Sequence, residues 1–417
     1  IKFLLQTSQI YFVTLAASET YEGYKVYRMY PKTEEQKSFL LSLKDNNELD
    51  FWAGVNSINT PVDVMVKPKD QQKFVMDMEG SSNKTNYVTI HVGSFGAIAD
   101  MSWDKYYNLD DIYSWLDNLA AAYPKASIII GGTTYEQRQI KGVKVFNGND
   151  KKTVFVEGGI HAREWISPAT VNFLLYQLLT STDPDFRQIA DSFNWHMFPT
   201  TNPDGYVFSH TVDRLWRKTR TEYPGGWWGA DADRNWDCHW GGREFHSFSE
   251  IYGGPKPFSE IETNSLHNYI TNVSSELVSY ISFHSYSQKL MVPYGYTRDH
   301  LDNYDEVAVC QVAIDALAKR YGTRYHRCGN IAEVEHPASG ISLDWVKQEF
   351  KPPLTYVYEL RDTGKYGYLL PPDQILPNSL EVVDSIIVKL AFNDLFEVFL
   401  SWFHYELTWN PSEQALH

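Results

Sequence analysis

His161 and Glu164 stand three positions apart in Gly159-Ile160-His161-Ala162-Arg163-Glu164-Trp165, and both side chains are zinc-ligand types. A catalytic zinc needs three protein ligands and one position left for water, so this stretch supplies two of the three. The spacing differs from the helical H-E-x-x-H site, where both histidines share one helix face. Here the helix is expected to begin later, with Ser167 as N-cap, Pro168 as first residue and Ala169 to Leu179 as its apolar stretch. The pair therefore belongs on the loop that leaves a strand, Thr153 to Glu157. The best third ligand is His284, which follows the strand-like run Tyr280 to Phe283. Strand ends are where α/β sheets gather ligands. H-x-x-E by itself is frequent by chance, and its bland reading is a surface ion pair.

Other strand ends carry chemistry-bearing residues too. Glu359 closes the run Leu354 to Tyr358, where partial desolvation would raise a carboxyl pKa toward that of a general base. The alternative is an ion pair with Arg361. Arg217 and Arg234 are either surface cations or fixed donors for an oxyanion or a carboxylate.

Positioning such residues takes a sheet. β-branched and aromatic runs at Ser127 to Ile130, Val143 to Phe146, Thr153 to Glu157, Trp195 to Phe198, Leu277 to Phe283 and Leu354 to Glu359 alternate with helical patterns, the first at Asn108 to Tyr123. This predicts an α/β domain with a mixed central sheet flanked by helices, and a helix over Leu380 to Tyr405, carrying Lys389, Asp394 and Glu397, covers it. Before it, residues 20 to 93 read βαββαβ, a small α+β ferredoxin-like arrangement. Its strands are Tyr24 to Tyr30, one around Phe51, Val62 to Val66 and Tyr87 to Val92. Its first helix opens on the capping box Thr33-Glu34-Glu35-Gln36, and its second runs from Asp70 as cap to Gly80 as stop.

The 417 residues, 43% apolar and 21% charged, suit a globular protein of two domains, and a net charge of −15 argues against a nucleic-acid partner. Lys2 through Leu15 and the small residues Ala16, Ala17 and Ser18 resemble a truncated secretory signal peptide. No later run approaches the roughly 18 apolar residues of a membrane span. A secreted protein without membrane attachment is expected. Three cysteines, Cys238, Cys310 and Cys328, exclude a disulfide framework. Cys310 on a helix-like stretch and Cys328 on a strand-like one form a pair or remain two buried thiols. Asn83-Lys84-Thr85 and Asn272-Val273-Ser274 are glycosylation acceptors in a secreted chain.

Five further motifs follow the one around His161 in order, Thr201-Asn202-Pro203-Asp204-Gly205, Arg214 through Arg220, Asp231 through Asp237, His284-Ser285-Tyr286-Ser287-Gln288 and Tyr358 through Gly364, with Leu369-Leu370-Pro371 beyond them. With Leu49-Asp50-Phe51-Trp52 upstream, the chain resembles the zinc metallocarboxypeptidases of the pancreatic A/B family in their secreted proenzyme form. The resemblance implies a leader over residues 1–18, an activation pro-domain over 19–99 and a catalytic domain over 100–417. It implies one zinc per chain on His161, Glu164 and His284, with Asp231 orienting a ligand histidine. Glu359 matches the base that takes a proton from the attacking water and passes it to the leaving amine. Arg217 matches the donor to the scissile carbonyl, Arg234 the clamp on the substrate's terminal carboxylate, and Arg163 and Tyr286 the contacts to further peptide residues. The implied partners are peptide or protein C-termini and an activating protease, and the implied state is a monomer.

Several positions depart from the family pattern. Asp233 stands where the family has Asn, so it must be protonated, turned away or paired with a cation to tolerate a substrate carboxylate nearby. His336 stands where the family has a mobile Tyr. Leu343 occupies the position where Asp would select basic residues, which favours an apolar or aromatic terminal side chain, with Met291, Gly295, Ile331, Ala338 and Val357 as further pocket residues; Glu335 keeps a basic preference open. No Lys or Arg lies between Lys84 and Lys105, the region where the linker near Gly93 to Asp100 would be cut. Alternative readings are a deacylase of small amino acids and a non-catalytic peptide- or zinc-binding relative, the latter motivated by Asp233 and His336.

Overall fold

Alternating apolar residues set the N-terminal sheet. In the computed structural model, which describes residues 25–44, 50–51, 58, 62–79, 86–90, 101–241, 246–299, 305–326 and 328–408, strands β1 (Lys25–Tyr30), β2 (Asp50–Phe51), β3 (Val62–Val66) and β4 (Asn86–Ile90) pair antiparallel in the order β2-β3-β1-β4. Val62, Val64 and Val66, two residues apart and so on one face, pack with Tyr27 and Met29 against Leu40 of α1 (Glu34–Lys44) and Phe74 and Met78 of α2 (Gln71–Glu79). The capping box forms: the Gln36 amide donates to Thr33 Oγ1 at 3.2 Å, and the Thr33 amide donates to Gln36 Oε1 at 3.3 Å. Asp70 is not a simple cap, because Pro68–Asp70 already forms a 3₁₀ turn leading into α2. The leader, Leu49, Trp52, the Gly80 stop, Asn83 to Thr85, the strand residues past Ile90 and the linker at 93–100 lie outside the described residues.

The larger sheet has seven strands, ordered β12-β13-β11-β7-β8-β6-β5. In chain order they are β5 (Ala126–Thr133), β6 (Gln139–Val145), β7 (Thr153–Gly158), β8 (Asn194–Phe198), β11 (Leu277–Ser285), β12 (Lys289–Met291) and β13 (Leu354–Leu360); a separate hairpin joins β9 (Glu222–Tyr223) to β10 (Trp227–Trp228). The inner strands β13, β11, β7 and β8 are parallel, and the outer pairings are antiparallel. Every residue of β7 and β11 is buried, as expected of parallel strands covered on both faces. One face, carrying Val154, Val156, Ile281, Phe283, Tyr356 and Tyr358, packs against helices at 166–180, 305–321 and 375–408. The opposite face, carrying Phe155, Tyr280 and Val357, packs against those at 261–273 and 342–350. By alternation, Glu157, Ser282, His284 and Glu359 belong to this second face.

Two expectations are corrected by tertiary contacts. The helix Ile166–Thr180 begins before Ser167, with Trp165 already helical at its cap position. The Ser167 hydroxyl is used elsewhere, accepting from the Gly159 amide at 2.9 Å and donating to the Phe283 carbonyl at 2.5 Å. It thereby ties the His161 loop to β11. Cys328 lies on no strand; the nearest pairing is an isolated bridge between Val292 and Asn330. It is held instead by a disulfide to Cys310, with the two Cα atoms 6.0 Å apart. The C-terminal helix, Ile375–Thr408, spans Leu380 to Tyr405 as expected and carries Lys389 inward. The lysine is fully buried, 4.4 and 4.9 Å from the ring centres of Tyr356 and Tyr358, and burial pushes its ammonium pKa far down.

Candidate active site

His161 and Glu164 lie on the loop between β7 and the following helix, and His284 sits next to the end of β11. Gly159 makes that loop possible: its φ is +65°, and a Cβ there would meet the Pro199 carbonyl at 3.1 Å. The three candidate ligands converge. His161 Nδ1 is 2.9 Å from Glu164 Oε1 and 3.0 Å from His284 Nδ1, which is 3.3 Å from Glu164 Oε2. All three are buried.

Each ring's other nitrogen is engaged. His161 Nε2 lies 3.0 Å from Asp231 Oδ1, and His284 Nε2 lies 2.9 Å from Ser282 Oγ. With Asp231 accepting from Nε2–H, His161 Nδ1 is left as a lone pair aimed at its neighbours. Burial opposes charge on His284, but Glu164 and further carboxylates push its pKa up to about 10. Burial likewise opposes charge on Glu164, and His161 and His284 nevertheless hold its carboxyl well below the ordinary range. Two imidazoles and a carboxylate that jointly demand positive charge at their centre fit a zinc ion.

Asp233 also approaches, so that His161, Asp233 and His284 make a second possible triad. Glu164 offers a third donor in a different orientation. Its oxygens face the two Nδ1 atoms, whereas Asp233 Oδ2 faces His284 from the Nε2 side at 3.9 Å and its Oδ1 accepts from the Ser342 amide at 2.9 Å.

A cavity of about 210 Å³ opens over these groups. Glu359, paired in register with His284, lines it. Burial pushes its pKa up to about 8, with Glu164 and Glu335 adding to the rise and His284 and Arg217 opposing it. Its suspected partner Arg361 turns away to Glu381, at 2.8 and 2.6 Å. Arg217 is held by Asp231, which accepts from Nε and Nη2 at 3.0 and 2.8 Å, while Nη1 reaches to 3.7 Å from Glu164. Arg234 lines the same cavity, its Nη1 donating to the Asp233 carbonyl at 2.7 Å. Its backbone is clamped against Gly340, where a Cβ would come 2.4 Å from the Arg234 carbonyl.

The remaining candidates divide. His336 lines the mouth with its side chain 64% exposed, 3.7 Å from Glu335. Tyr286 lines the wall and packs edge-on against Tyr368. Arg163 is outside the lining set: it donates to the Leu215 carbonyl, pairs with Glu250 at 3.1 Å and lies over the Tyr368 ring. Leu343 is also outside it, buried in the apolar cluster behind the pocket. The apolar wall belongs to Met291, Ile331, Ala338, Ile341 and Val357. Ile341 and Tyr368 carried no sequence signal, because nothing local distinguishes a cavity-facing apolar residue from a core one.

Residues 112–385 match the family described as zinc carboxypeptidase, and residues 27–85 match the carboxypeptidase activation peptide. The chain is 38% identical over 396 residues to zinc carboxypeptidase A 1 of Anopheles gambiae, covering 91% of each. It is 35% identical over 393 residues to carboxypeptidase A2 of Rattus norvegicus, covering 87% of this chain and 92% of the relative. Among solved structures, thrombin activatable fibrinolysis inhibitor superposes with a TM-score of 0.67 at 25% identity, covering 88% of this chain and 98% of that one. The chain belongs to the zinc carboxypeptidases: it is a metallocarboxypeptidase of pancreatic type, carrying the activation peptide of a proenzyme.

Proposed function

We propose that His161, Glu164 and His284 hold the zinc and that Glu359, Arg217 and Arg234 carry out removal of the terminal residue around it. The observation that carries this reading is one cavity lined by all six side chains. Zinc bound there supplies Lewis acidity and lowers the pKa of a bound water to about 7. The Arg234 guanidinium offers two parallel donors to the terminal carboxylate of a peptide, which makes the reaction exopeptidic. Arg217, oriented by Asp231, donates to the oxygen of the scissile carbonyl as it gains charge. Glu359 accepts a proton from the attacking water and returns it to the leaving amine.

Asp233 does not repel the substrate. Its Oδ2 is paired with the Arg234 guanidinium, 3.8 Å from Nη1, and its Oδ1 accepts from the Ser342 amide at 2.9 Å. His336 at the mouth supplies a donor to the bound carboxylate, and Tyr286 and Arg163 contact the peptide upstream. The terminal side chain is apolar. Five apolar residues form the wall, and Glu335, which would otherwise attract a basic side chain, is paired with Lys289 at 2.6 Å.

Domain limits of 1–18 for a leader, 19–99 for the activation segment and 100–417 for the catalytic domain, secretion, a monomeric state and activation by a protease cutting near residues 93–100 complete the proposal. Among the described residues no helix is long and apolar enough to cross a membrane. The test is zinc content and release of C-terminal residues before and after limited proteolysis. One zinc per chain, with release appearing after cleavage, is expected; release from internal bonds or no bound zinc overturns the reading.

A further inference from the structure

Behind His284, on the side away from the cavity, a fully buried chain of polar groups runs from β11 to β7. Ser282 and Glu157 are register partners on these neighbouring parallel strands, and both are 1% exposed. Glu157 Oε1 accepts from Ser282 Oγ at 2.7 Å and from the Tyr280 hydroxyl at 3.0 Å; Oε2 accepts from Thr201 Oγ1 at 2.9 Å. Ser282 Oγ then lies 2.9 Å from His284 Nε2.

Burial raises the Glu157 pKa, but a proton it keeps has a place on Oε2 toward Thr201, whose own hydroxyl also reaches the Gly158 carbonyl at 3.2 Å; in either charge state Oε1 accepts, and Ser282 spends its single proton on it. Its oxygen is then an acceptor toward the ring, and His284 must carry its hydrogen on Nε2. That leaves Nδ1 bare, facing His161 and Glu164. If Ser282 donated to the ring instead, Nδ1 would carry the hydrogen and could not ligate a metal. Asp231 does the same for His161 directly, through Nε2. Among the described residues His284 has no carboxylate within hydrogen-bonding distance of Nε2, Asp233 lying 3.9 Å away.

We propose that Glu157 and Ser282 are positioning residues for zinc binding, a two-step relay that fixes the tautomer and direction of His284. This rests on the reading of His284 as a ligand. What the relay needs from residue 157 is an acceptor oxygen, not a charge. Glu157→Gln supplies one, its amide oxygen taking Ser282 and its NH₂ donating to Thr201; Glu157→Met supplies none.

The test is the zinc dissociation constant of the full chain, stripped and reloaded against a chromogenic chelator, together with the melting temperature of the zinc-free protein. Ser282→Ala and Glu157→Met are expected to weaken zinc binding on the order of 10- to 100-fold, as outer partners of metal ligands do. Glu157→Gln is expected to stay within about threefold of the parent, and the Ser282→Ala/Glu157→Met double variant to be no weaker than the weaker single one, because both act through one path. A role confined to packing would lower the melting temperature of the zinc-free protein and leave the dissociation constant unmoved. Parent-like zinc affinity in Ser282→Ala overturns the relay, and this variant decides if Glu157→Met does not fold. A parent protein that binds no zinc overturns the ligand reading itself, a result distinguishable from the first.

Discussion

His161 and His284 turn their Nδ1 atoms toward each other at 3.0 Å, from a loop and a strand 123 residues apart in sequence. Two bare imidazole nitrogens at that separation repel unless a proton or a cation lies between them. Asp231 and Ser282 hold the far nitrogens, so neither ring can flip to relieve the contact without losing its partner. The site is organised before any substrate arrives.

Glu359→Gln is expected to lower kcat by roughly 10²- to 10⁴-fold while zinc stays near one per chain. A loss of zinc together with activity would assign residue 359 to the metal instead of the proton. In the parent, activity needs the carboxylate form. Burial moves its pKa upward from 4.5 to about 8, so the acid limb of kcat/KM should fall between these values, with zinc drawing it toward the lower one. A limb below pH 4 contradicts this.

Arg234→Ala should raise KM for peptides with a free terminal carboxylate by a factor corresponding to about 2–4 kcal/mol. Arg234→Lys should recover only part of it, because a lysine ammonium cannot form the two-pronged contact. Peptide amides should be poor substrates of the parent and lose little further in the variant. A free acid and its amide hydrolysed equally by the parent would exclude the clamp.

Ile341 rather than Leu343 should set the size of the terminal side chain. Ile341 lines the cavity, and its δ-carbon packs on Gly295, where an added Cβ would meet it at 2.7 Å. Ile341→Gly is expected to raise the ratio of kcat/KM for terminal Trp over terminal Val by roughly tenfold. Leu343→Ala should instead cost about 2–4 kcal/mol of stability and leave terminal preference unchanged. A switch of preference in the Leu343 variant would place that side chain back in the wall.

Glu262 predicts a pH dependence of stability. It is 1% exposed; Oε1 accepts from the Tyr135 amide, and Oε2 has no partner among the described residues. Burial raises its pKa from 4.5 to about 8. The folded protein then keeps a proton that the unfolded chain releases, so this contribution is full below pH 4.5 and is lost as pH rises through 8. Glu262→Gln removes the loss and should gain a few kcal/mol over the parent at pH 8.5 relative to pH 5. Urea midpoints at the two pH values measure it, and an equal difference between parent and variant at both refutes it.

Much of the site was legible one strand at a time. His161, Glu164, His284 and Glu359 stand at the ends of apolar runs whose period marks them as strands, and parallel strands bring such ends to one edge. The capping box at Thr33 and Gln36 was equally readable, because both its bonds are local. Ser167 misled for the opposite reason. Its sequence context suits a cap, but the Phe283 carbonyl, 116 residues away, competes for the same hydroxyl.

The sequence by itself therefore determined the chemistry available: the two imidazoles, the carboxylates, the guanidiniums and the strands that carry them. Tertiary structure alone decided that Arg361 pairs with Glu381 and leaves Glu359 to the cavity, that Ile341 and not Leu343 lines that cavity, and that Ser282 meets Glu157 across two strands. Ligand types and element periods are local properties of the chain. Which side chain meets which depends on register and packing between segments that are separate in sequence, 20 residues apart for Arg361 and Glu381 and 125 for Ser282 and Glu157, and no local pattern encodes it.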